Sequence, residues 1–439
     1  MRPLPGLLSL TLLLACSTQQ VVITLLTPAA VAPDPALILT LIASWDGGQA
    51  TAVGAVANGS LSLSLPSDVP VDLEIEGDAG TTFWRGERHG LVAAGGAVTA
   101  GVLLTRVGQI DSFPTPAAFG MPFAGMSATP LGLGQVLLAG GRNAAGLSKQ
   151  AWIYDQASAS VVPAPPLARA RANQFALSLS ATSSAVLMAG GDDGGSVEVY
   201  GAHPVSAPSL GTPEGHLSGA VAGDQAAYFG CGYGLDGGVS STDAVRAFEG
   251  PPLGPLACSG GQIVQLDGGA AVITASGDVY LLPSLTRVGR LNLAREGFAA
   301  VADGQGGLLV TGGRNADGTG PSSVEDFSFD AGKSMTQASL DGGFAHQTLV
   351  RIGAAGFLVI GGENAAGLPQ SSVRTIGPAP AFLPDFRSDS RPGIDFALSV
   401  ARRFPAVAPI PGYHLVLIVS GEATVQSDPA SGLDVFTIP

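Results

Sequence analysis

Short runs of β-branched and aliphatic residues alternate along the whole chain with Gly-Gly, Asp-Gly and Pro-rich joints. Each run has the length of a strand, and many of them alternate apolar and polar positions, as in Leu61, Leu63 and Leu65 between Ser60, Ser62 and Ser64. No amphipathic stretch reaches the length of an ordinary helix. The pattern therefore predicts an all-β protein.

One strand phrase recurs, an aliphatic run that ends in two glycines. It occurs at Val136–Gly141, Leu308–Gly313 and Phe357–Gly362, in shorter form at Val186–Gly191, and in weaker copies further along the chain. The last glycine or its equivalent falls at positions 141, 191, 232, 277, 313, 362 and 421, at intervals of 36 to 59 residues. A single four-stranded unit buries its faces only against neighbours, so the copies must form an array.

In the clearest copies the diglycine is followed by a second strand, such as Ala151–Asp155, in which an aromatic residue stands near the end. The order of aliphatic strand, diglycine, variable loop and aromatic strand resembles the kelch β-propeller family, although the tryptophan usual after the aromatic strand is missing. The phrase Gly140–Gly146 also resembles the seven-bladed chromosome-condensation-regulator family, but Tyr154-Asp155 favours kelch. The resemblance implies a seven-bladed ring.

The two ends of the array predict how the ring closes. After Gly421 one strand remains, Leu433–Ile438, so we expect Val107–Phe113 to supply the last strand of the final blade. The segment before it, around Leu61–Pro66 and Val71–Gly77, resembles the carboxypeptidase-regulatory or transthyretin-like sandwich. We therefore divide the chain into a signal peptide (1–15), a tether (16–20), a β-sandwich (21–105) and a propeller (106–439).

The first residues predict export and a lipid anchor. One arginine, an apolar run and a small residue describe a signal peptide that is too short to span a bilayer. Leu13-Leu14-Ala15-Cys16 resembles the bacterial lipobox, which implies lipidation of Cys16 by diacylglycerol and fatty acid such as palmitate. Ser17 resembles the sorting signal for the outer membrane. An ordinary signal peptide that is cut nearby is the alternative.

Composition narrows the possible partners. Of 439 residues, 46% are hydrophobic and only 12% are charged, and the net charge is −14. With few lysines and no basic stripe, the chain has no surface for phosphates, so nucleic acid is excluded as a partner. We expect a monomer that meets the membrane through its lipid and an envelope protein or glycan through its propeller.

No catalytic motif, metal motif or cofactor motif is present, and we expect no enzyme, no metal and no cofactor. The alternative is a secreted propeller enzyme that acts on glycans, either a hydrolase or lyase or a galactose-oxidase-like protein. The oxidase resemblance rests on Cys231 between Tyr228 and Tyr233, together with His216, His346 and Tyr413-His414. Besides Cys16 the only thiols are Cys231 and Cys258, both placed in the third blade, and either a disulfide or two free thiols fits.

The candidate ligand site is the face that collects the loops after the diglycine strands, because the chain reverses at every strand and brings equivalent loops together. Rigid scaffolds that present variable polar loops are common binding sites. Mixed arginine, asparagine and acidic side chains suit hydroxyl-rich or acidic ligands. The predicted residues of this face are Arg142, Asn143, Asp192, Asp193, Arg314, Asn315, Glu363 and Asn364, joined by Arg171 and Arg295 from the loops between blades.

Overall fold

The structure is a computed structural model. It describes residues 18–28, 31–80, 82–94, 98–113, 119, 122–179, 185–192, 195–201, 216–222, 226–232, 246–248, 253–254, 256–315, 317–321, 323–339, 345–353, 356–377, 397–424, 429–430 and 432–439. Cys16 and Asp193 lie outside these ranges. The described residues are almost entirely strands and turns, which confirms the predicted all-β class. Within these ranges, no helix is long and apolar enough to cross a membrane.

The first seven strands form one hydrogen-bonded N-terminal sheet, which we call the sandwich after the predicted domain. They are β1 (Thr18–Leu26), β2 (Ile38–Trp45), β3 (Gly48–Ala55), β4 (Ser60–Pro66), β5 (Pro70–Asp78), β6 (Phe83–Val92) and β7 (Val98–Arg106), with a short 3-10 turn at Val56–Asn58. Their order is β3-β2-β5-β6-β7-β1-β4. Leu61, Leu63 and Leu65 are buried, as the alternation predicts. β1 begins at Thr18, so three residues assigned to the tether are strand residues paired with β4.

The direction of two strands fixes which end of this sheet faces the rest of the molecule. β1 runs parallel to β7, with Val21 opposite Val98 and Leu26 opposite Leu103. β7 then ends at Arg106, beside the next sheet, where Val107 forms a bridge to Thr437. The N-terminus of β1 therefore lies at the far end of the sandwich, three residues beyond the position opposite Val98, which is itself about 26 Å from Arg106 along the nine-residue β7.

Seven antiparallel units follow one another among the described residues. Their strands are β9 (Ala124–Pro130), β10 (Gln135–Asn143), β11 (Gly146–Leu147), β12 (Ala151–Asp155) and β13 (Ser160–Ala164) in unit 1; β14 (Phe175–Ser178), β15 (Val186–Ala189) and β16 (Val197–Tyr200) in unit 2; β17 (Ser218–Ala222), β18 (Ala226–Gly230) and β19 (Arg246–Phe248) in unit 3; β20 (Gln262–Leu266), β21 (Gly269–Ile273), β22 (Asp278–Leu282) and β23 (Thr286–Arg290) in unit 4; β24 (Glu296–Ala302), β25 (Gly307–Arg314), β26 (Ser323–Ser328) and β27 (Lys333–Ser339) in unit 5; β28 (Thr348–Arg351), β29 (Phe357–Ile360) and β30 (Val373–Ile376) in unit 6; β31 (Ala406–Pro409), β32 (Leu415–Val419) and β33 (Leu433–Thr437) in unit 7.

These units form a β-propeller. The first strand of each unit contacts the first strand of the next, in the order β9, β14, β17, β20, β24, β28, β31 and back to β9. Strand β8 (Ile110–Phe113) pairs antiparallel with β33, with Ser112 opposite Asp434. The N-terminal segment before unit 1 thus completes the last sheet, as the strand count at the two ends predicts.

The diglycines stand where no side chain fits. Gly141 has φ +94°, and an added Cβ would lie 2.7 Å from Met126 Cγ and 3.0 Å from the Ala124 carbonyl oxygen. At Gly362, with φ +97°, it would lie 2.7 Å from the Ala345 carbonyl oxygen. Both the left-handed backbone and the close approach therefore require glycine, which explains why the phrase repeats.

Three units contain a buried ion pair that links the start of the unit to its third strand. Arg171 pairs with Glu198 at 3.3 Å, Arg402 pairs with Asp434 at 2.9 Å, and Arg295 pairs with Glu325. Each arginine also donates to the carbonyl of the first residue of its diglycine or the equivalent: Gly190, Ser420 and Gly312. Arg171 and Arg295 were predicted on the exposed face. That prediction is wrong, because both guanidinium groups are buried and bonded inside their own units.

A disulfide joins Cys231 to Cys258. Cys231 follows β18 at the diglycine position of unit 3, whereas Cys258 precedes β20 of unit 4, so the bond links two units and does not lie within the third blade as predicted. In other units the residue that follows the equivalent of Cys231 is joined to the equivalent of Cys258 by a backbone hydrogen bond, from Gly141 N to Arg171 O (2.8 Å) and from Gly362 N to Arg402 O (3.0 Å).

The sandwich packs against the β31–β32 turn of the propeller. Glu87, which is buried, accepts hydrogen bonds from the His414 backbone amide (3.0 Å) and pairs with His414 Nδ1 (2.6 Å). The His89 ring meets the Tyr413 ring edge-on, with centroids 4.7 Å apart. Arg88 donates to the Ala157 carbonyl at 2.6 Å. The sandwich therefore sits where β31 ends.

Candidate functional site

A ring of left-handed residues surrounds the other end of the innermost strands. Near the start of each innermost strand one residue has positive φ in every unit. It lies two places before the strand at Asn173, His216, Gly260, His346 and Phe404, and it is the second residue of the strand at Gly125 and Gly297. Adjacent members are joined by backbone hydrogen bonds, as from His216 N to Asn173 O (2.6 Å) and from Phe404 N to His346 O (2.9 Å). We call this ring the mouth of the propeller.

Four members of the mouth are not glycine, although the backbone favours glycine. Asn173, His216, His346 and Phe404 have φ between +48° and +57°, a conformation that costs an ordinary residue free energy. Three equivalent positions are glycine, so the turn itself does not need a side chain. Strain of this kind is concentrated at functional sites, which directs attention to what these four side chains do.

Three of these side chains stack across the mouth. The ring of Phe404 lies 3.7 Å from that of His216 and 4.3 Å from that of His346, centroid to centroid, and both pairs are nearly parallel. Because unit 3 and unit 7 are not neighbours in the ring, the stack crosses the axis of the propeller. The mouth is therefore partly closed by aromatic rings.

Below the stack lies an axial cavity of about 310 Å³. All seven innermost strands, or the residues that lead into them, contribute to its wall, through Ser127, Phe175, Ser218, Gln262, Phe298, Thr348 and Val407 among others. Its size falls at the lower end of the range of small-molecule sites. The cavity is thus a single site that belongs to the whole ring.

Side-chain amides in this wall have polar atoms without a hydrogen-bond partner among the described residues. These atoms are Asn173 Oδ1, Gln174 Oε1 and both Oε1 and Nε2 of Gln347. Each of the three residues is only 7% exposed. Buried polar groups are bonded in the great majority of cases, so this group of unbonded amide atoms in residues of the cavity wall is unusual.

Above the stack, ion pairs join four units. Arg403 donates from Nη1 to Glu363 Oε2 (3.0 Å) and from Nε to Glu422 Oε2 (2.8 Å). Arg142 reaches Glu422 at 3.0 Å, and Arg314 reaches Glu363. Both carboxylates are buried, while the side chains of Arg142 and Arg314 are about one-third exposed. We call these five residues the rim cluster.

The rim cluster controls the charge of the mouth. His346 Nδ1 lies 2.9 Å from Glu363 Oε1. Burial raises the pKa of Glu363, but the bond to His346 and the nearby Arg403 and Arg314 outweigh it and lower the pKa below its usual value. Burial, helped by His346, Arg403 and Arg142, lowers the pKa of His216 to about 3. The His216 ring is therefore neutral at physiological pH.

The predicted face divides into two groups in the structure. Arg142, Arg314 and Glu363 meet in the rim cluster. The asparagines do not join them, because their side chains hold their own loops. Each asparagine bonds to a nearby residue, Asn143 to Ala145 N, Asn364 to Ala366 N and Asn315 to Thr319 Oγ1. Asp192 is buried and accepts from the Ser196 amide at 2.7 Å.

Arg403, Glu422 and Phe404 were not predicted, and His216 and His346 stood out only as copper ligands in the oxidase resemblance. The available signal was position, because each ring residue stands within two places of the start of an innermost strand. Because the residue type changes from unit to unit, no repeated letter marks that position. Only the diglycine, whose type is constant, was visible.

The oxidase resemblance does not fit the structure. Cys231 is bonded to Cys258, so its sulfur is not free to cross-link with Tyr228. Tyr413 and His414 contact the sandwich. In the part of the chain that the structure describes, no group of three or more His, Cys, Asp or Glu side chains is arranged to hold a metal ion.

The fold places this protein in the class of all-β proteins with a β-propeller, which here follows a seven-stranded N-terminal sheet. No known family model matches the chain, and no curated protein matches it. Among solved structures it is similar to YjhT, at 12% identity and a TM-score of 0.43, over 74% of this chain and 96% of that one. This similarity is too distant to bear on function.

Proposed function

We propose that this protein is a binding protein of the bacterial cell envelope, held to the outer membrane by a lipid on Cys16, which captures a glycan or a protein segment at the propeller mouth. The observation that supports this proposal best is the axial cavity, to whose wall all seven units contribute, together with buried amide atoms of Asn173 and Gln347 that have no hydrogen-bond partner among the described residues. Such atoms cost stability unless a ligand or water bonds them.

The orientation of the two parts supports display of this site away from a membrane. Thr18, two residues after Cys16, starts β1 at the end of the sandwich remote from Arg106. The sandwich packs where β31 ends, at Tyr413 and His414, while Phe404 at the mouth precedes β31. A lipid on Cys16 would therefore place the sandwich next to the membrane and the mouth on the opposite face.

The kelch assignment and the carboxypeptidase-regulatory likeness of the sandwich belong to this proposal. The support for them is the repeated diglycine strand and the alternation in β4 and β5, which pack as the sequence pattern predicts.

The lipid is tested by the intact mass of protein extracted with detergent from a lipoprotein-competent bacterium. We expect a chain that starts at acylated Cys16. A wild-type mass without acyl groups, or a start elsewhere, would remove the anchor from the proposal.

The binding role is tested by capture from envelope extract and by a glycan array. Ser127 lines the cavity, so Ser127→Trp should fill it and abolish capture. Ser158→Trp makes the same change at an exposed loop on the sandwich side and should capture normally. Equal capture by both variants would show that the mouth is not the binding site, and no capture by the wild type would refute the binding role.

A second candidate is an enzyme that acts on glycans. It is favoured by one observation, the contact between His346 Nδ1 and Glu363 Oε1, since a carboxylate that orients a histidine is typical of general acid–base pairs. Turnover of a glycan panel that is lost in His346→Ala would support it. Turnover that persists in His346→Ala, or the absence of turnover in the wild type, would not support the enzyme.

A further inference from the structure

Three cations and one exposed leucine lie close together at the mouth end of unit 1. Leu147 in β11 is 41% exposed and stands directly opposite Arg142 of β10, so the two side chains lie on the same face of the hairpin. Lys149 follows two residues later and is exposed. Arg169, also exposed, belongs to the loop that leads to unit 2. We call Arg142, Leu147, Lys149 and Arg169 the unit 1 patch.

Backbone hydrogen bonds hold the two parts of this patch together. The Leu167 amide donates to the Lys149 carbonyl (2.8 Å), and the Arg171 amide donates to the Ser148 carbonyl (3.0 Å). The loop with Arg169 at its middle is therefore fixed at both ends to the segment that contains Lys149. The backbone thus brings these two cations to one surface.

The patch carries positive charge that its surroundings do not neutralise. Arg142 bonds to Glu422, but Lys149 and Arg169 have no ion-pair partner among the described residues. Asp192 of the next unit is buried within its own loop. Because the whole chain has a net charge of −14, this excess of positive charge is local.

Unit 6 contains the same loop and shows what the backbone alone requires. Residues 143–147 and 364–368 share the sequence Asn-Ala-Ala-Gly-Leu, and in each loop the asparagine Oδ1 accepts from the amide two residues later (2.8 Å and 2.9 Å). Leu368 is 54% exposed, so both loops expose their leucine. The exposed leucine is therefore common to the two units.

The cations are not common to the two units. Hydrogen bonds from Leu398 N to Ser371 O (2.8 Å) and from Arg402 N to Gln370 O (2.9 Å) match the two bonds of unit 1. By this correspondence the positions of Arg142, Lys149 and Arg169 are occupied in unit 6 by Glu363, Ser371 and Val400. The same backbone forms without positive charge, so the fold does not require the cations of unit 1.

The patch fits a partner that brings both negative charge and an apolar side chain. Arginine and lysine form strong hydrogen bonds to carboxylates, whereas Leu147 offers only apolar surface. An anionic glycan would neutralise the cations but would gain little from the leucine. Three cations are too few to follow a nucleic-acid backbone, which proteins hold through about six to ten phosphate contacts.

We infer that the unit 1 patch docks an acidic segment of a partner protein, with carboxylates on Arg142, Lys149 and Arg169 and an apolar side chain on Leu147. None of these four residues lines the axial cavity. The inference therefore goes beyond the proposed function and assigns a second binding site beside the mouth.

The test is fluorescence anisotropy of labelled peptides with the purified full chain at low ionic strength. The probe is a Gly/Ser-rich peptide with one leucine flanked by glutamates, and two control peptides replace the glutamates by glutamine or the leucine by serine. We expect the probe to bind about tenfold more tightly than the glutamine peptide, several times more tightly than the serine peptide, and more weakly as salt is added. No binding by the probe, or equal binding by the glutamine peptide, would overturn the inference.

Matched substitutions locate the site. Lys149→Glu should weaken binding of the probe about tenfold, whereas Lys333→Glu makes the same change at the only other lysine, on the outermost strand of unit 5, and should leave binding unchanged. Leu147→Ser should weaken binding several-fold, and Leu368→Ser in the identical loop of unit 6 should not. All four side chains are exposed, so the melting temperature should change little.

Equal binding by wild type and Lys149→Glu would overturn the assigned site. Polygalacturonate is titrated in parallel, and binding of this anionic glycan that depends on Lys149 but not on Leu147 would overturn the protein partner. Ser127→Trp fills the cavity and should leave binding of the probe unchanged, so loss of capture from extract in that variant bears on the proposed function alone. Loss of probe binding in Ser127→Trp would place the peptide in the cavity and overturn the second site.

Discussion

Removing the charge of Asp434 tests the buried ion pair of unit 7, whose carboxylate also bonds to β8 from the start of the array. Asp434 in β33 and Arg402 before β31 are both fully buried, with Arg402 Nη2 and Asp434 Oδ2 2.9 Å apart. The carboxylate also accepts from Ser112 Oγ (2.6 Å) in β8 and from Ser399 Oγ (3.1 Å). Asp434→Asn keeps the shape and leaves the guanidinium group without a counter-charge.

The cost follows from the burial of both partners. Breaking a buried pair by removing one charge destabilises a protein by about 3–5 kcal/mol. For a chain of 439 residues the entropy of unfolding is about 0.9 kcal/mol per kelvin. We therefore expect the melting temperature to fall by about 3–5 °C in differential scanning calorimetry.

The control is the same substitution at an exposed pair. Asp278 lies 2.7 Å from Arg287 Nη2, and the arginine is about half exposed, so Asp278→Asn should lower the melting temperature by less than about 1 °C. A change at Asp434 no larger than at Asp278 would refute the reasoning, because it would mean that the buried arginine needs no partner.

Three further predictions concern closure, sulfur and acid. Deleting Leu433–Pro439 exposes the edges of β8 and β32 and should cause aggregation in size-exclusion chromatography, whereas a monomer with unchanged melting would contradict the closure. Replacing Cys231 and Cys258 by alanine should cost about 3–4 kcal/mol, since the bond spans 27 residues, and lower the calorimetric melting temperature by about 3–4 °C. The pKa of His216 is about 3 in the folded chain and about 6.5 in the unfolded chain, so the unfolded chain binds more protons between these values and stability falls as the pH falls from about 6.5 to about 3. His216→Asn should make the melting temperature fall less steeply over this pH range. An unchanged slope would exclude His216 as the cause of the fall.

The fold was predictable because its determinants are local and repeated. Alternation at Leu61–Leu65 indicates one buried face, and the glycine at Gly141 or Gly362 is required by the backbone at that point. Both signals depend on residue types that cannot be exchanged without loss of stability, so both can be recognised in a single sequence. The pairing of β8 with β33 followed from counting strands at the two ends.

The site was predictable only in part, because side-chain direction is not encoded by position in a repeat. Arg142 and Arg171 both stand at the same end of the propeller, Arg142 near the end of β10 and Arg171 a few residues before β14. Arg142 points to Glu422 at the rim, whereas Arg171 points into its own unit, towards Glu198. Their partners lie 280 and 27 residues away along the chain, and no spacing rule connects them. Burial of an arginine therefore became visible only with the tertiary structure.

The mouth shows how a ring of near-identical units produces one asymmetric site. Every unit supplies the same left-handed position, and Gly125, Gly260 and Gly297 show that the turn is satisfied without a side chain. Where His216, His346 and Phe404 occupy it, the strain is retained and the rings meet across the axis. Replacing any one of these three by glycine should relieve backbone strain, but it also opens the stack, removes the packing of a ring and frees the unfolded chain, so we expect a lower melting temperature in calorimetry. A repeat fold can thus keep its backbone constant and place its chemistry in the few positions where the constant backbone is unfavourable for a side chain.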